Sequence, residues 1–333
     1  VSIVMPRYNS AFRAAVLERD SIVGSWHNLD KEDYSIPFIG VRTNDNRPWI
    51  PESHKNPESK TYSVRFSPDT ENEYQAIGQF SYSKDRATGT FITETGDYRF
   101  LEGDITNDNL VVSCFDGAHM FLFQAEMVGD SLLDGMFYSG KHYSEPWIAV
   151  EDPEASLRDP NSITYLNDDS ETIEVDVMTL DGDFTTIDQE DFEGRVTIVQ
   201  IFGSWCPNCY DENEFYKELY DDYAGQGFQV IPIAFEASDD FHKNAEAVRK
   251  QFNDIGITYA AYLGGKRNKK TTSEMFPMLN QIISYPTSVY IDKMGNVRKI
   301  HTGFYGPGTG QLYIDYVNET RSFIEELLAE EPA

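Results

Sequence analysis

The feature that most constrains the fold of this chain is a nearly continuous run of apolar, mostly β-branched residues at Val196–Phe202 (VTIVQIF). Because the run has no polar face, it is typical of a central strand that is buried on both sides. A helical pattern follows from Pro207 to about Tyr223 and is stopped by Gly225 and Gly227. The sequence therefore predicts a buried strand that leads directly into a helix.

Strand and helix patterns alternate through the rest of the C-terminal half. The last two strands are joined by a hairpin turn at Lys293–Asn296. This order predicts an α/β domain with a β-α-β unit and late antiparallel strands. The predicted strands are Phe228–Phe235, Thr258–Leu263, Ser288–Asp292 and Val297–Thr302, and the predicted helices are Asp240–Asn253, Thr272–Ile282 and Gln311–Ala329.

The N-terminal half has a different pattern, in which turn residues separate short strands between about residues 21 and 150. Many short strands with such punctuation predict an antiparallel β sandwich or barrel. Residues 1–20 are predicted to form a short leading helix, with Ala11, Ala14, Val16 and Leu17 as its apolar members. The predicted strands include Thr61–Phe66, Ala76–Ser83, Thr88–Thr93, Tyr98–Ile105, Leu110–Phe115, His119–Glu126 and Gly135–Tyr138.

A polar, acidic and Pro-bearing stretch separates the two patterns. It comprises Glu151–Asp159 (EDPEASLRD) and Asn167–Glu171, which suit an exposed linker. A chain of 333 residues is also long enough for two domains. We therefore predict an α+β protein, with a β-rich domain at 1–165 and an α/β domain at 166–333, and place the boundary near residue 165.

Charge and hydropathy exclude several classes of partner. The chain has 27 Lys and Arg against 56 Asp and Glu, a net charge of −29, so its surface should repel nucleic acid and anionic lipid. The one basic cluster, at Lys266, Arg267, Lys269 and Lys270, is interpreted as a solvated loop.

No stretch approaches the ~20 apolar residues needed to cross a bilayer. The opening segment is not a signal peptide, which leaves open an export signal or lipid anchor removed by processing.

Two of the three cysteines form a C-x-x-C at the junction of the buried strand and the helix. Cys206 is predicted at the N-cap and Pro207 at the first helical position, where the missing N–H costs nothing. The free N–H groups of the first turn and the helix dipole favour the thiolate of Cys206. Because the thiolate is the form that attacks a disulfide, Cys206 is the predicted nucleophile.

Cys209 lies one helical turn after Cys206, deeper in the helix, and is the predicted resolving thiol. Trp205 is predicted to cover the site from one side. A zinc site is disfavoured because no second C-x-x-C or C-x-x-H exists to complete four ligands. A purely structural disulfide is the remaining alternative, although a bridge across one helical turn stabilises little. We expect no metal and no other cofactor.

From Val175 to the C-terminus the chain resembles the TlpA/ResA-like thiol–disulfide oxidoreductases, the exported branch of the thioredoxin superfamily, here with a β-rich N-terminal extension. Separated motifs occur in the order of that family. They are Leu180-Asp181-Gly182, Phe192-Glu193-Gly194, Gly203-Ser204-Trp205-Cys206-Pro207-Asn208-Cys209, Ser284-Tyr285-Pro286-Thr287 and Ile291-Asp292-Lys293-Met294-Gly295. The resemblance implies a thioredoxin-like fold and thiol–disulfide exchange with protein substrates.

The resemblance also implies which residues contact the substrate and where the protein works. Pro286 would be cis and would bring Tyr285 and its backbone next to the dithiol, so that these two residues, with Trp205 and Pro207, contact an extended substrate. Reduction is the implied direction, with a membrane thiol transporter as electron donor. The implied location is exported, either periplasmic or lipid-anchored and facing the periplasm.

Proton transfer to and from the dithiol is implied to involve Glu212, three residues after Cys209. The residues alone leave another interpretation open, a first-turn glutamate that is favourable to the helix dipole. One position departs from thioredoxin, which carries a buried aspartate in the central strand where this chain has Gln200. Because an amide cannot titrate, the proton of Cys209 must pass to Glu212, water or the substrate.

Two rival functions remain open. A peroxiredoxin needs a threonine three residues before its reactive cysteine, and this chain has Gly203 there. The β-rich half could instead be a ligand- or partner-binding module with an accessory redox domain, and Gly24-Ser25-Trp26 loosely resembles the G-x-W start of lipocalin-like barrels.

Cys114 is interpreted as a core cysteine, with a third redox thiol as the alternative. Gly303–Gly310 lacks the lysine of a phosphate loop and is interpreted as a plain loop.

Overall fold

The computed structural model describes residues 1–18, 20–29, 31–42, 58–167 and 170–331. The chain divides into two compact units. The first comprises Val1–Phe91 and Tyr98–Ser156, and the second comprises Ile92–Asp97 and Leu157–Ala333. The first is built of antiparallel strands and the second of strands alternating with helices, which confirms the predicted α+β class. The second unit begins before the predicted boundary near residue 165.

A small antiparallel sheet opens the first unit, and the predicted leading helix over residues 1–20 is wrong. Asn9 adopts a left-handed conformation (φ 44°) and reverses the chain, so that Met5 pairs with Ser10 across a hairpin. Pairing on both sides of the second strand outweighs the weak helical spacing of its alanines. The strands, in spatial order, are β1 (Ser2–Met5), β2 (Ser10–Glu18), β3 (Ser21–Asn28) and β4 (Ser35–Val41).

The rest of the first unit is an eight-stranded antiparallel barrel, as predicted from the turn-punctuated strands. A further two-residue strand, β8 (Gly96–Asp97), pairs with the end of the third barrel strand. The barrel closes because its second and third strands also pair with each other. The barrel strands are β5 (Glu58–Phe66), β6 (Tyr74–Ser83), β7 (Arg86–Thr93), β9 (Leu101–Thr106), β10 (Asn109–Phe115), β11 (Met120–Val128), β12 (Ser131–Ser139) and β13 (Tyr143–Glu151).

Aromatic side chains fill the barrel core. Phe66, Phe91, Phe123, Phe137 and Trp147 are all buried in one cluster, and the rings of Phe123 and Phe137 stack with centroids 4.4 Å apart. Eight strands leave an interior that side chains of this size can fill. The Trp of the Gly24-Ser25-Trp26 motif lies on β3 of the small sheet and not on the barrel, so the loose resemblance to a lipocalin-like barrel has no structural counterpart.

The second unit is a seven-stranded mixed sheet with helices. The sheet order is β15-β14-β18-β17-β16-β19-β20, in which β16 runs parallel to β17 and antiparallel to β19. The strands are β14 (Val175–Thr179), β15 (Phe184–Ile187), β16 (Val196–Phe202), β17 (Phe228–Glu236), β18 (Tyr262–Lys266), β19 (Thr287–Ile291) and β20 (Val297–Thr302). The helices are α1 (Gln189–Phe192), α2 (Pro207–Tyr223), α3 (Phe241–Ile255), α4 (Lys269–Met275) and α5 (Gln311–Ala329).

Strand β16 has the environment that its sequence predicts, because all seven of its residues are buried. Val199 and Ile201 belong to one hydrophobic cluster, while Val196 and Ile198 belong to another, so alternate side chains serve different cores. This buried strand fixes the point at which α2 begins.

Helix α4 differs from the predicted helix over Thr272–Ile282. It begins earlier, at Lys269, because the side chain of Asn268 caps it by accepting the N–H groups of Lys270 and Thr271. It also ends earlier, at Met275. Pro277 disfavours the helical conformation of the residue before it, Phe276, and so stops the helix.

Candidate active site

Cys206 occupies the N-cap of α2, as predicted, in an extended conformation. Its Sγ accepts a hydrogen bond from the backbone N–H of Cys209 at 3.2 Å. Pro207 takes the first helical position, where no N–H is needed. The N-terminal turn of α2 therefore presents both a donor and the positive end of the helix dipole to this sulfur.

The two thiols of the C-x-x-C are free and differ in accessibility. Cys206 is 6% exposed, whereas Cys209 is completely buried. Burial raises the pKa of Cys209 well above its ordinary value, and its contact with the Cys206 sulfur raises the pKa further. Cys206 is therefore the less buried of the two thiols, which is the order that the roles predicted for them require.

The segment before β19 lies against Cys206. The thiol of Cys206 donates to the backbone carbonyl of Tyr285 at 3.4 Å. The Tyr285–Pro286 peptide bond is cis, as the family resemblance implied. The phenol of Tyr285 is held by a 2.6 Å hydrogen bond with the hydroxyl of Thr272 on α4. The carbonyl of Tyr285 is thus fixed at the edge of the site.

Trp205 covers another side of the site. Its indole Nε1 donates to the carbonyl of Phe235 at 2.9 Å, and its ring meets the ring of Tyr285 edge-on at 5.7 Å. The guanidinium of Arg267 lies over the indole, 4.7 Å from the ring centroid. Arg267 belongs to the basic cluster that the sequence led us to interpret as a plain solvated loop. The structure instead places it against Trp205, the residue that precedes Cys206.

Glu236 was missed by the sequence analysis and supports the loop before Trp205. Its carboxylate accepts the backbone N–H of Ser204 at 2.7 Å and the hydroxyl of Ser204 at 2.8 Å. Burial raises the pKa of Glu236, while these hydrogen bonds and the charge of Arg267 oppose the increase. An acidic residue at the end of a buried strand is the one sequence signal that could have identified it.

Glu212 is completely buried one turn after Cys209, in a nest of neutral hydrogen-bond donors. Gln200 donates to it at 2.7 Å and Tyr216 at 3.0 Å, with weaker contacts from Ser288 at 3.3 Å and Tyr316 at 3.4 Å. Burial raises the pKa of Glu212 to about 7, although these hydrogen bonds lower it. A carboxyl group with this pKa can hold or release a proton near neutrality.

Three tyrosines form a cluster of hydroxyls at Glu212, of which Tyr216 and Tyr316 contact the carboxylate, and none of them was predicted from the sequence. The hydroxyls of Tyr216, Tyr290 and Tyr316 lie 3.2 Å from one another and come from α2, β19 and α5. Tyr216 follows Glu212 by four residues on the same helix, a spacing that could have revealed it. The other two are distant in sequence and only the fold brings them together.

Gln200 occupies the predicted position in the central strand, fully buried on β16. Its amide nitrogen is used by Glu212, whereas its Oε1 has no hydrogen-bond partner within the part of the chain that the structure describes. The residue that replaces the buried aspartate of thioredoxin thus acts as a donor to the acid. Gln200 and Glu212 form one hydrogen-bonded pair.

A second edge of the C-x-x-C segment is formed by residues far from it in sequence. The amide of Asn208 donates to the carbonyl of Phe304 at 3.3 Å. Ser284 donates to the carbonyl of Thr95 at 3.1 Å, and the N–H of Gly306 donates to the carboxylate of Asp97 at 2.9 Å. Gly303–Gly310 is the irregular segment before α5 that the sequence predicts. These long-range contacts left no signal in the sequence.

Cys114 lies in the first unit and packs against the barrel core, half-buried, with its thiol 3.7 Å from the carbonyl of Tyr98. This environment fits the interpretation of Cys114 as a core cysteine.

In the described ranges, no three His, Cys, Asp or Glu side chains are grouped so that they could hold a metal ion. Across the same ranges, no helix combines the length and the apolar character needed to span a membrane.

Comparison with known proteins places the site in a wider context. The profile of the Redoxin family matches residues 167–309. The thiol-disulfide oxidoreductase ResA of Oceanobacillus iheyensis is 21% identical over 150 residues, which cover 45% of this chain and 71% of the relative. The ResA of Bacillus thuringiensis subsp. konkukian is 32% identical over 111 residues, which cover 33% of this chain and 57% of the relative. The family match includes both cysteines of the C-x-x-C, Glu212 and Pro286.

Two solved structures are similar to part of the chain. A thiol:disulfide interchange protein of the thioredoxin family from Chlorobium tepidum superposes with a TM-score of 0.34 at 20% identity, covering 53% of this chain and 100% of that one. A secreted thiol-disulfide isomerase from Corynebacterium glutamicum gives a TM-score of 0.38 at 16% identity, covering 53% and 98%.

Proposed function

We propose that this chain, a TlpA/ResA-like thiol–disulfide oxidoreductase of the thioredoxin superfamily by its similarity to the Redoxin family and to ResA, reduces disulfides of protein substrates through Cys206 and Cys209. The position of Cys206 at the start of α2 carries the proposal. Its sulfur accepts the N–H of Cys209 at 3.2 Å and lies 3.4 Å from the carbonyl of Tyr285. The first contact stabilises a thiolate, and the second places the sulfur beside a backbone acceptor in the segment before β19.

Ionisation of Cys206 changes what Tyr285 can bind. As a thiol, Cys206 donates to the Tyr285 carbonyl. As a thiolate it has no proton to donate, so the carbonyl becomes free to accept a backbone N–H from an extended substrate. Activation of the nucleophile and exposure of the substrate acceptor are then the same event. Trp205, Pro207 and Pro286 complete the proposed substrate surface.

The exchange proceeds in two balanced steps. The Cys206 thiolate attacks one sulfur of the substrate disulfide, the substrate S–S bond breaks, and the departing substrate thiolate takes a proton. Cys209 then loses its proton and attacks the Cys206 sulfur in the mixed disulfide. The mixed disulfide breaks, the second substrate thiol leaves, and Cys206 and Cys209 are joined. Two electrons have passed to the substrate.

The second step needs a base, because burial holds the pKa of Cys209 high. We assign this role to Glu212, whose pKa of about 7 allows its carboxylate form to accept the proton of Cys209. Gln200 and Tyr216 hold the carboxylate in place through their hydrogen bonds. The proposal does not require the buried aspartate that thioredoxin uses.

The supply of electrons and the location follow from the family by analogy. We propose that a membrane thiol transporter reduces the Cys206–Cys209 disulfide after each turnover. An exported protein, periplasmic or lipid-anchored and facing the periplasm, would meet both this donor and disulfide-bearing substrates.

An insulin-reduction assay, with dithiothreitol as the electron donor, tests the proposal. The intact protein should accelerate insulin reduction, and Cys206→Ser should abolish the acceleration, because a hydroxyl at the N-cap keeps the helix start but cannot attack sulfur. Cys114→Ser is the matched control and should retain the activity. Equal rates with the intact protein and with Cys206→Ser would refute the assignment of the nucleophile.

The rival in which the β-rich half binds a ligand has no specific observation in its favour. Buried aromatic rings occupy the core of the barrel, where a barrel-type ligand cavity would lie. The peroxiredoxin rival also lacks support at the nucleophile, because Gly203 supplies no hydroxyl three residues before Cys206.

A further inference from the structure

A β-bulge aims Arg267 at the redox site. The register between β17 and β18 shifts after Ala234, so that Phe235 pairs with Gly265 instead of Gly264. Gly265 adopts φ +136°, which other residues rarely tolerate. The backbone N–H of Arg267 then donates to the carbonyl of Glu236 at 2.7 Å. Bulges near active sites commonly redirect a side chain, and this one directs the guanidinium onto the indole of Trp205.

The same short stretch of chain reaches both aromatic residues that flank the nucleophile. Arg267 lies on Trp205, with 4.7 Å between the guanidinium and the ring centroid. Five residues later, Thr272 holds the phenol of Tyr285 at 2.6 Å. Since Tyr285 also presents its carbonyl to Cys206, an extended substrate at that carbonyl would pass close to Arg267.

The charge of Arg267 is available to a partner. Within the residues that the structure describes, neither Arg267 nor Lys269 has a carboxylate within ion-pair distance, whereas Lys266 pairs with Asp239 at 2.7 Å. Arg267 is exposed, and the nearby carboxylate of Glu236 is engaged by Ser204. A guanidinium that is stacked on an aromatic ring keeps its N–H donors free for a carboxylate.

The chain as a whole makes this local charge unusual. With 56 acidic and 27 basic residues, most of the surface repels an acidic partner. Four of the basic residues nevertheless fall within Lys266–Lys270, the stretch whose Arg267 lies on Trp205, next to Cys206 in sequence. We propose that Arg267 is a specificity-determining residue that selects protein substrates with an acidic side chain next to the disulfide. This inference rests on the proposed reductase function.

Matched disulfide peptides test the proposal. Three synthetic peptides would each carry one internal disulfide and differ only in the residues that flank the reacting cysteine, which are Glu, Gln or Lys. The ratio of kcat/KM between the Glu and Lys peptides is measured near 0.15 M salt. The Debye length is then about 8 Å, so distant carboxylates of the protein are screened while Arg267 is not. The intact protein should favour the Glu peptide by about two- to fivefold.

Two charge-reversal variants separate a local effect from a global one. Arg267→Glu should reduce the Glu/Lys ratio to one or below. Lys250→Glu changes the net charge equally but lies on α3 in a pair with Asp254, and it should leave the ratio unchanged. Arg267→Lys keeps the charge without the planar guanidinium and should retain part of the preference. It also provides a test if Arg267→Glu fails to fold.

Different failures identify different errors. If the intact protein reduces all three peptides at equal rates, or if Lys250→Glu changes the ratio as much as Arg267→Glu does, the specificity proposal is wrong and the reductase proposal stands. If no peptide is reduced, the reductase proposal fails and the specificity proposal fails with it.

Discussion

At the residue scale, the proton chemistry of the site centres on Glu212. Four neutral side chains contact its carboxylate, and no cation lies within ion-pair distance of it among the described residues. Hydrogen bonds from neutral donors offset only part of the cost of burying a carboxylate, so the pKa of Glu212 remains raised, at about 7. Cys209, the nearest thiol along the helix, is buried by the same packing and has a raised pKa for the same reason.

Replacing Glu212 by Gln should slow the resolving step and change its pH dependence. In the intact protein, release of the substrate from the mixed disulfide should accelerate as Glu212 ionises around pH 7. Glu212→Gln should lose this step and release the substrate about 10²-fold more slowly at pH 8. Stopped-flow measurement of release from a preformed mixed disulfide checks this. Glu214→Gln, at an exposed acid on the same helix, should behave as the intact protein. An unchanged pH profile in Glu212→Gln would remove Glu212 from the mechanism.

The same variant has a signature in stability. Because the pKa of Glu212 rises from 4.5 to about 7 on folding, protonation of Glu212 favours the folded state. That stabilisation is complete below about pH 4.5 and is lost as pH rises through 7. Between pH 4.5 and 8, the free energy of unfolding of the intact protein should therefore fall by on the order of 3 kcal/mol through Glu212. Glu212→Gln should not show this decrease. Gln200 can rotate its unpartnered Oε1 toward the new amide, so the variant should fold.

Single residues also show what the sequence can and cannot predict about a site. Cys206 and Cys209 were predicted from their position at one helix start, where local geometry determines their contacts, whereas the role of Glu212 was implied by the family resemblance. Tyr290 and Tyr316 could not be identified, because they come from different elements and meet Tyr216 beside Glu212 only through the tertiary fold. Arg267 was found as part of a basic cluster, but its contact with Trp205 depends on a bulge that hydrophobic patterning does not reveal.

At the scale of secondary structure elements, buried elements were predicted from the sequence more accurately than exposed ones. Strand β16 was predicted correctly because every one of its side chains is buried, so its apolar pattern is unambiguous. Strand β2 was predicted as a helix because much of it is exposed, and pairing with β1 and β3 decides its conformation. Helix α4 was displaced because Asn268 and Pro277 define its ends more strongly than its apolar spacing does.

The bulge in β18 gives a prediction at this scale. A Cβ at Gly264 would overlap the ring of Phe235, whose carbonyl anchors Trp205. Gly264→Ala should therefore destabilise the fold by about 1–3 kcal/mol and shift the fluorescence of Trp205. Chemical denaturation and emission spectra measure the two effects. Gly225→Ala, where a Cβ would meet open space, is the matched control and should change neither. Equal behaviour of the two variants would mean that the bulge is not tightly packed.

At the scale of the whole molecule, the charge balance limits how partners can be recognised. The chain has 27 basic and 56 acidic residues, so carboxylates exceed cations by 29. Electrostatic attraction of an acidic substrate can then act only locally, where basic residues are concentrated. The stretch Lys266–Lys270, whose Arg267 contacts Trp205, is such a place. The redox unit can therefore combine a repelling surface with an attracting edge.

The three cysteines of the whole chain allow the central claim to be tested by one equilibrium measurement. The intact protein is equilibrated in thiol–disulfide buffers of known potential, and each cysteine is followed by alkylation and peptide mapping. A reductase that uses Cys206 and Cys209 should show a single two-electron transition of that pair near about −270 mV, with Cys114 reduced throughout. A transition near about −120 mV, or a disulfide that contains Cys114, would contradict the account.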